Sequence, residues 1–188
     1  GTMARLVTQG HDVSLAILAK RNLEHMSHQG CAVLGVTRLI THDFPDQRFD
    51  AVDFLDLTEW VEGVITDVVP DVIYTHHSSD LNLDHALTAK AVLTATRPKP
   101  SCQVKDVYLF EVPSCTEWGF NYAFNPNVFM DITTTLNLKL KAMAHYESET
   151  RPFPHPRSPD MLTANAARWG ATIGVGAAEA FELVRSLR

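Results

Sequence analysis

The chain has 188 residues, 45% of them hydrophobic and 20% charged, with a net charge of -6, a composition that suits one ordinary globular domain with a substantial core. Its acidic balance and its lack of clustered Lys and Arg exclude a broad electrostatic footprint for DNA or RNA, because neutralising phosphates needs such clusters. Three widely spaced cysteines, Cys31, Cys102 and Cys115, support neither a disulfide framework nor a zinc knuckle, and the sequence has neither a bilayer-length apolar run nor a signal-peptide pattern, so a cytoplasmic setting is expected.

The opening GTMARLVTQG has helical apolar spacing with Gly10 as C-cap; the spacing then turns nearly continuous and predicts a strand over 13–18. KRNLEHMSHQGCAVLG reads as a second helix ending at Gly35, although Gly30 inside it weakens the pattern, and VTRLI as the next strand. DLTEWVEGVITDVVPDVIYTHH repeats the unit: an apolar stripe through Leu57, Val61, Val64, Ile65 and Val68, a break at Pro70, and a strand over 72–75. DHALTAKAVLTATRP is a helix stopped before Pro98, and VYLFEV a further strand. This alternation predicts one α/β domain over 1–188, a Rossmann-like three-layer sandwich with a mostly parallel sheet, in which ligands gather at the carboxyl ends of the strands.

Beyond Val112 the texture changes. PSCTEWGFNYAFNPNVFMDI, rich in aromatics, Asn and Pro, predicts a long structured loop or hairpin, so the C-terminal part is loop-rich. Trp118, Phe120 and Tyr122 have the rings to stack on a pyranose, yet core packing is expected for at least two of them. Thr133 is placed to cap a helix through Ala144, RPFPHPRSPD is a proline-stiffened loop before a helix over 161–169, and AEAFELVR fits strand or helix equally.

The chemistry concentrates in YTHHSSDLNLDH, residues 74–85, at a predicted strand end. Zinc accepts imidazole nitrogen and carboxylate oxygen, and Asp84-His85 offers both at a helix N-terminus; His85 is the better ligand, while Asp84 can cap the helix or accept a hydrogen bond within the site. The plain alternative is a surface or capping pair. His76 and His77 alternate sides of an extended strand, so at most one faces the cleft of His85. Asp80 and Asn82 also read as Asx-turn residues. GVGAAEAF lacks the context of a dinucleotide fingerprint, and Ser78 and Ser79 sit in no nucleophile elbow.

PDVIYTHHSSDLNLDH followed by AVLTATRP resembles the PIG-L/LmbE-like family of zinc-dependent N-acetyl sugar de-N-acetylases. Gly1-Thr2 and the helix after them are similar to the segment following that family's His-Pro-Asp-Asp-Glu motif, and Arg21 and Glu24 to its Arg-x-x-Glu helix. FEVPSCTEW, FNPNVFMDIT, KLKAMAHYESETRPFPHPRS and GAAEAFELVR resemble the C-terminal part of a bacterial subgroup. The resemblance implies hydrolysis of the acetamide of an N-acetylated amino sugar or its conjugate, with zinc or another divalent metal as cofactor, a small-molecule N-acetyl sugar as partner, and neither nucleic acid nor a membrane span. It implies that the ion is held by the His and second Asp of His-Pro-Asp-Asp and by the His of a downstream Asp-His, with the first Asp as general base. His85 then becomes a metal ligand, Asp84 its acidic neighbour in catalysis, and Arg21 a contact to the acyl group or sugar.

Two departures follow. Asn82 stands where many members carry the first His of His-x-Asp-His; it can donate to a substrate but cannot titrate, so His77 or His155 is expected to supply an imidazole. His-Pro-Asp-Asp occurs nowhere in the 188 residues; it is expected just upstream of Gly1, and its true loss would leave a non-catalytic sugar-binding or scaffold relative. Asp46 is a candidate for a sugar hydroxyl, and Arg157, beside His155, for bidentate contact to an anion; local turn and salt-bridge roles are their plain alternatives. A structural α/β domain whose helices serve a homo-oligomer interface is a third reading. Replacing His77 and His155 together with Ala is expected to abolish turnover in an acetate-release assay; normal turnover would remove both from the chemistry.

Overall fold

The computed structural model describes residues 1–20, 24–99, 102–120 and 124–188. Contacts divide the chain into two compact units, Gly1–Asp43 with Phe129–Ala180, and Phe44–Val128 with Phe181–Arg188. In chain order the elements are α1 (Thr2–Thr8), β1 (Ser14–Lys20), α2 (Glu24–Leu34), β2 (Arg38–Pro45), a 3-10 turn (Phe49–Ala51), α3 (Phe54–Val68), β3 (Val72–His76), α4 (Leu83–Ala95), β4 (Asp106–Phe110), β5 (Val128–Asp131), α5 (Leu136–Ala144), α6 (Pro159–Ile173) and β6 (Ala178–Arg185). This is the mixed α/β class that the helix–strand alternation predicts. Among the described residues no helix is long and apolar enough to cross a membrane.

In the first unit β1 pairs with β2, and the opening of β6 belongs to the sheet that carries β5. Ile132, Ala166 and Ala177 are buried together, with Met130 and Leu136 packed on them. Helix α2 runs straight through Gly30, where a Cβ would stand 3.2 Å from the Tyr146 ring; the missing side chain admits the aromatic that follows α5, and that contact outweighs the low helix propensity of glycine. Glu179 ties three segments together. Its carboxylate accepts from the Thr2 amide and hydroxyl, both at 2.6 Å, and pairs with Lys139 Nζ at 2.7 Å. Burial opposes the Glu179 charge, but Lys139 and these hydrogen bonds outweigh it and hold the carboxyl well below the usual range.

One expectation is corrected and one open reading is decided. Thr133 does not cap α5: Thr135 stands at the N-cap, and the Thr133 hydroxyl instead donates to Asp131 Oδ1 at 2.6 Å. AEAFELVR, open between strand and helix by pattern, is β6. Helix α6 forms where a helix over 161–169 is expected but starts earlier, at Pro159, and runs to Ile173; Ser158 caps it, accepting from the Met161 amide at 3.2 Å, with Pro159 in the first turn, where no amide partner is needed.

In the second unit β3 and β4 pair in parallel, Val72 opposite Asp106 through His76 opposite Phe110, so the two strands end together. The antiparallel partner of β4 is the later part of β6. A parallel pair needs a crossover, and α4 supplies it. Asn82 caps α4, its side-chain oxygen accepting from the Asp84 amide at 2.9 Å. This helix buries Asp84, Thr88, Ala89, Ala91, Val92 and Ala95. Residues on more than one face are covered because α3, β3 and the 3-10 turn all pack against it. Helix α3 buries Leu57, Thr58 and Val61 and stops at Val69, which takes the left-handed conformation at φ 52 before Pro70. The aromatic loop differs from expectation: Trp118 is 41% and Phe120 89% exposed, so neither is core, while Tyr122 lies outside the described residues. Core packing of at least two of these rings therefore does not occur.

The Glu179 pair gives a directional test. A carboxyl held below its unfolded value, about 4.3, stabilises the native state above that pH and loses this contribution as pH falls through it. Urea midpoints at pH 7 and pH 3 are expected to differ less in Glu179→Gln than in the parent protein. Lys139→Met, which strands the carboxylate with part of its surface in water, is expected to cost about 2 kcal/mol at pH 7.

Candidate functional site

The common end of β3 and β4 places residues 76–85 together with 112–119. The His77 amide donates to Phe110 carbonyl oxygen at 3.1 Å, carrying the pairing one residue beyond β3. The chain then turns, with the Asp80 amide donating to His77 carbonyl oxygen at 3.1 Å, and enters α4. Facing it is the 112–119 turn, in which the Cys115 and Thr116 amides both donate to Val112 carbonyl oxygen, at 3.1 and 3.0 Å. Ser114 adopts φ 70 there, a conformation costly for a residue other than glycine and held by its amide bond to Glu117 Oε1 at 2.6 Å. At Gly119 a Cβ would meet Ser79 carbonyl oxygen at 2.9 Å, so only glycine lets the two segments approach this closely.

Asp80 joins them. Its Oδ1 accepts from the Asn82 amide at 2.8 Å and its Oδ2 from the Thr116 hydroxyl at 2.8 Å. The same Oδ1 stands 3.3 Å from His85 Nδ1, within ion-pair range, while Nδ1 is buried and lacks an aligned hydrogen bond among the described residues. Burial opposes the charge on both groups. For Asp80 the adjacent His85 ring and the hydrogen bonds from Asn82 and Thr116 outweigh it and lower the pKa; for His85, Asp80 and the Cys115 thiol outweigh it and push the pKa up to about 9. His76 stacks on His85 with ring centroids 4.3 Å apart and planes at 17°. Its own burial, followed by the charge on His85, pushes its pKa down to about 3, so it is neutral.

His77, the residue of this pair expected to supply an imidazole, points elsewhere, and it is His76 that meets His85. Nε2 lies 3.2 Å from Glu182 Oε2, and Nδ1 2.6 Å from Ser79 Oγ and 3.3 Å from the Ser79 amide nitrogen. Because the amide can only donate, these partners assign the proton to Nε2. Asp84 is buried, and its two oxygens accept from the Phe49 amide at 3.0 Å and the Gln47 amide at 2.6 Å. That clamp holds Gln47 at φ 58, immediately after Asp46.

The remaining sequence candidates fall elsewhere. Arg21 lies outside the described residues. His155 and Arg157 belong to the first unit: His155 Nδ1 accepts from the Arg157 amide at 3.1 Å, and the Arg157 guanidinium is hydrogen-bonded to Glu149 and lines a cavity of about 460 Å³. Sequence reasoning assigned no chemistry to His76, Cys115 or Thr116 and treated Asp80 as a loop residue. Strand alternation sets His76 and His77 on opposite sides without deciding which of them meets His85, and nothing in the sequence places Cys115 beside His85.

Imidazole, carboxylate and thiol are all zinc donors. A buried His85 nitrogen without an aligned hydrogen bond is the kind of group a cation satisfies, so these residues fit a divalent ion.

The PIG-L family model, described as GlcNAc-PI de-N-acetylase, matches residues 1–96, and the chain belongs to this family. Among solved structures, N,N'-diacetylchitobiose deacetylase from Pyrococcus horikoshii is similar at TM-score 0.76 and 17% identity, covering 98% of this chain and 77% of that one. The 4-carboxy-2-hydroxymuconate hydratase GalB from Pseudomonas putida KT2440 is similar at TM-score 0.73 and 17% identity, covering 100% and 90%. The zinc-inhibited form of the teicoplanin deacetylase Orf2 gives TM-score 0.75 and 14% identity, covering 98% and 92%. At these identities the likeness is one of fold.

Two variants test the site's wiring. Asp84→Ala leaves two amides without their acceptor and is expected to cost about 2 kcal/mol in chemical denaturation. Asp80→Asn is expected to bring the His85 pKa down from about 9 toward the ordinary histidine value, followed by NMR titration of the ring protons of metal-free protein.

Proposed function

We propose that this protein hydrolyses the acetamide of an N-acetylated amino sugar or its conjugate, releasing acetate and a free amine, with His85 as one ligand of a divalent cation. The observation that carries the reading is the His85–Asp80 pair at the end of β3, 3.3 Å apart, inside the stretch matched by the family model. A carboxylate beside the ring is the usual support of a metal-binding histidine, since it fixes the imidazole's orientation and raises its basicity. A bound divalent ion supplies a Lewis acid for the acetamide carbonyl and lowers the pKa of water.

Each neighbouring residue has a part consistent with this reading. Asp80 orients His85. Asp84, with both oxygens engaged by backbone amides, acts as a positioning residue that keeps Asp46 and Gln47 in place; Asp46 is assigned to a sugar hydroxyl. Asn82 uses its oxygen to cap α4 and keeps its amide N–H groups for substrate. His77, buried, with Glu182 on one nitrogen and the Ser79 hydroxyl against the other, would move protons only through Ser79. Arg21 keeps the role that the family resemblance implies, a contact to the acyl group or sugar, while Arg157 and His155 keep the roles assigned from their own chemistry, an anion or substrate contact and a second imidazole.

The hydratase among the fold relatives shows that this architecture serves more than one reaction, so side chains and not topology must select the chemistry. A second reading is a non-catalytic sugar-binding or scaffold relative without a complete metal site. Acetate release from N-acetylglucosamine conjugates separates the two. Turnover is expected to stop on exhaustive chelation and return with zinc, to drop at least about 100-fold in His85→Ala and about 10–100-fold in Asp80→Asn. Activity that survives chelation, or is unchanged in His85→Ala, would reject the metal-dependent reading.

A further inference from the structure

A second cluster of reactive side chains stands at the end of β3. Thr75 lies opposite Leu109 of β4, and Leu109 lies opposite Glu182 of β6. Side chains in register across a sheet share a face, and every second residue of a strand returns to it, so His77 joins the face of Thr75 and Glu182. His76, stacked on His85, takes the other. His77 is buried, and the Phe124 ring meets it edge-on with centroids 5.6 Å apart. Its Nε2 lies 3.2 Å from Glu182 Oε2, and its Nδ1 lies 2.6 Å from Ser79 Oγ. Glu182 is further held by the Asn125 amide, which donates to the same oxygen at 3.4 Å. Ser79 keeps part of its surface in solvent.

Hydroxyl, imidazole and carboxylate in series at hydrogen-bond distance are the parts of a nucleophilic triad, which is recognised by geometry and roles and not by sequence position. The sequence around Ser79 has no nucleophile elbow; here the parts are assembled by the end of β3 and by β6, held on either side of β4. The proton stands where such a triad needs it. With N–H on Nε2 toward Glu182, the Nδ1 lone pair faces the Ser79 hydroxyl and can take its proton, and the imidazolium that forms lies against a carboxylate.

We propose that Ser79 is an activated nucleophile, with His77 as its general base and Glu182 as the positioning residue of the ring, and that it gives this protein a second activity, hydrolysis of small carboxylic esters by a route that does not pass through the His85 site. Ser79 Oγ bonds to the ester carbonyl carbon as its proton passes to His77 Nδ1. The carbon–oxygen bond to the leaving alcohol breaks, and the alcohol departs with that proton, leaving acyl-Ser79. Water, giving a proton to the same nitrogen, then splits the acyl-Ser79 ester, releases the carboxylic acid and restores the hydroxyl.

The test uses diisopropyl fluorophosphate and p-nitrophenyl acetate on the whole chain. The fluorophosphate is expected to add one phosphoryl group at Ser79, located by intact mass and peptide mapping, which also distinguishes Ser79 from Cys115. Ester turnover is expected to persist after exhaustive chelation, to be lost in Ser79→Ala and to stay unchanged in Ser78→Ala, the exposed neighbour. His77→Gln is expected to lower the labelling rate at least about 100-fold. Glu182→Gln is expected to lower it at least about tenfold, with part of the rate restored in Glu182→Asp. Absence of an adduct at Ser79, label spread evenly over several hydroxyls, or a Ser79 labelling rate unchanged in both His77→Gln and Glu182→Gln would overturn the proposal. Ester turnover that survives in Ser79→Ala or stops on chelation would overturn it as well, and none of these outcomes bears on acetamide hydrolysis at His85.

Discussion

A buried carboxylate cannot remain charged without partners, and Asp80 gathers its partners from three parts of the chain. The Asn82 amide belongs to the entry of α4, the Thr116 hydroxyl to the turn after β4, and His85 to the first turn of the helix itself. Satisfying one desolvated charge thus brings two loops and a helix start to one point at the end of the parallel strand pair. The geometry of His85 and Cys115 depends on that convergence.

A second carboxylate four residues later performs a different task because its surroundings differ. Asp84 finds two backbone amides at Gln47 and Phe49, so its charge is spent on shaping the turn after β2. The contrast separates residues of the same chemistry by what they touch: Asp80 meets the Thr116 and His85 side chains as well as a backbone amide, Asp84 two backbone amides of the turn after β2. His76 and His77 divide in the same way. One stacks on His85 and is kept neutral; the other is locked between Glu182 and Ser79.

Membership of the PIG-L family and the shared fold of deacetylases and a hydratase point to the same physical lesson. Parallel strands that end in register create a shallow location where loops meet, and the identity of the loop side chains then determines which bonds that location can polarise. Here a carboxylate, an imidazole and a thiol meet in it, a donor set suited to a cation and not to a nucleotide phosphate.

The order of elements in this protein was written in its sequence. Apolar periodicity of 3.6 changing to continuous runs, with Gly10, Gly35 and Pro70 as punctuation, located each helix and most strands, because these signals depend on neighbours a few residues apart. His85 stands out in the sequence as a candidate ligand only through family likeness and its place after a strand. The cap of α5, the strand state of AEAFELVR, and the exposure of Trp118 and Phe120 were not legible, since each depends on which distant surface covers the segment. Nor could the sequence bring Cys115, thirty residues from His85, into the site. That placement comes from β3 and β4 ending together and from the Asp80–Thr116 bond across the two loops, and such contacts exist only after the chain has folded.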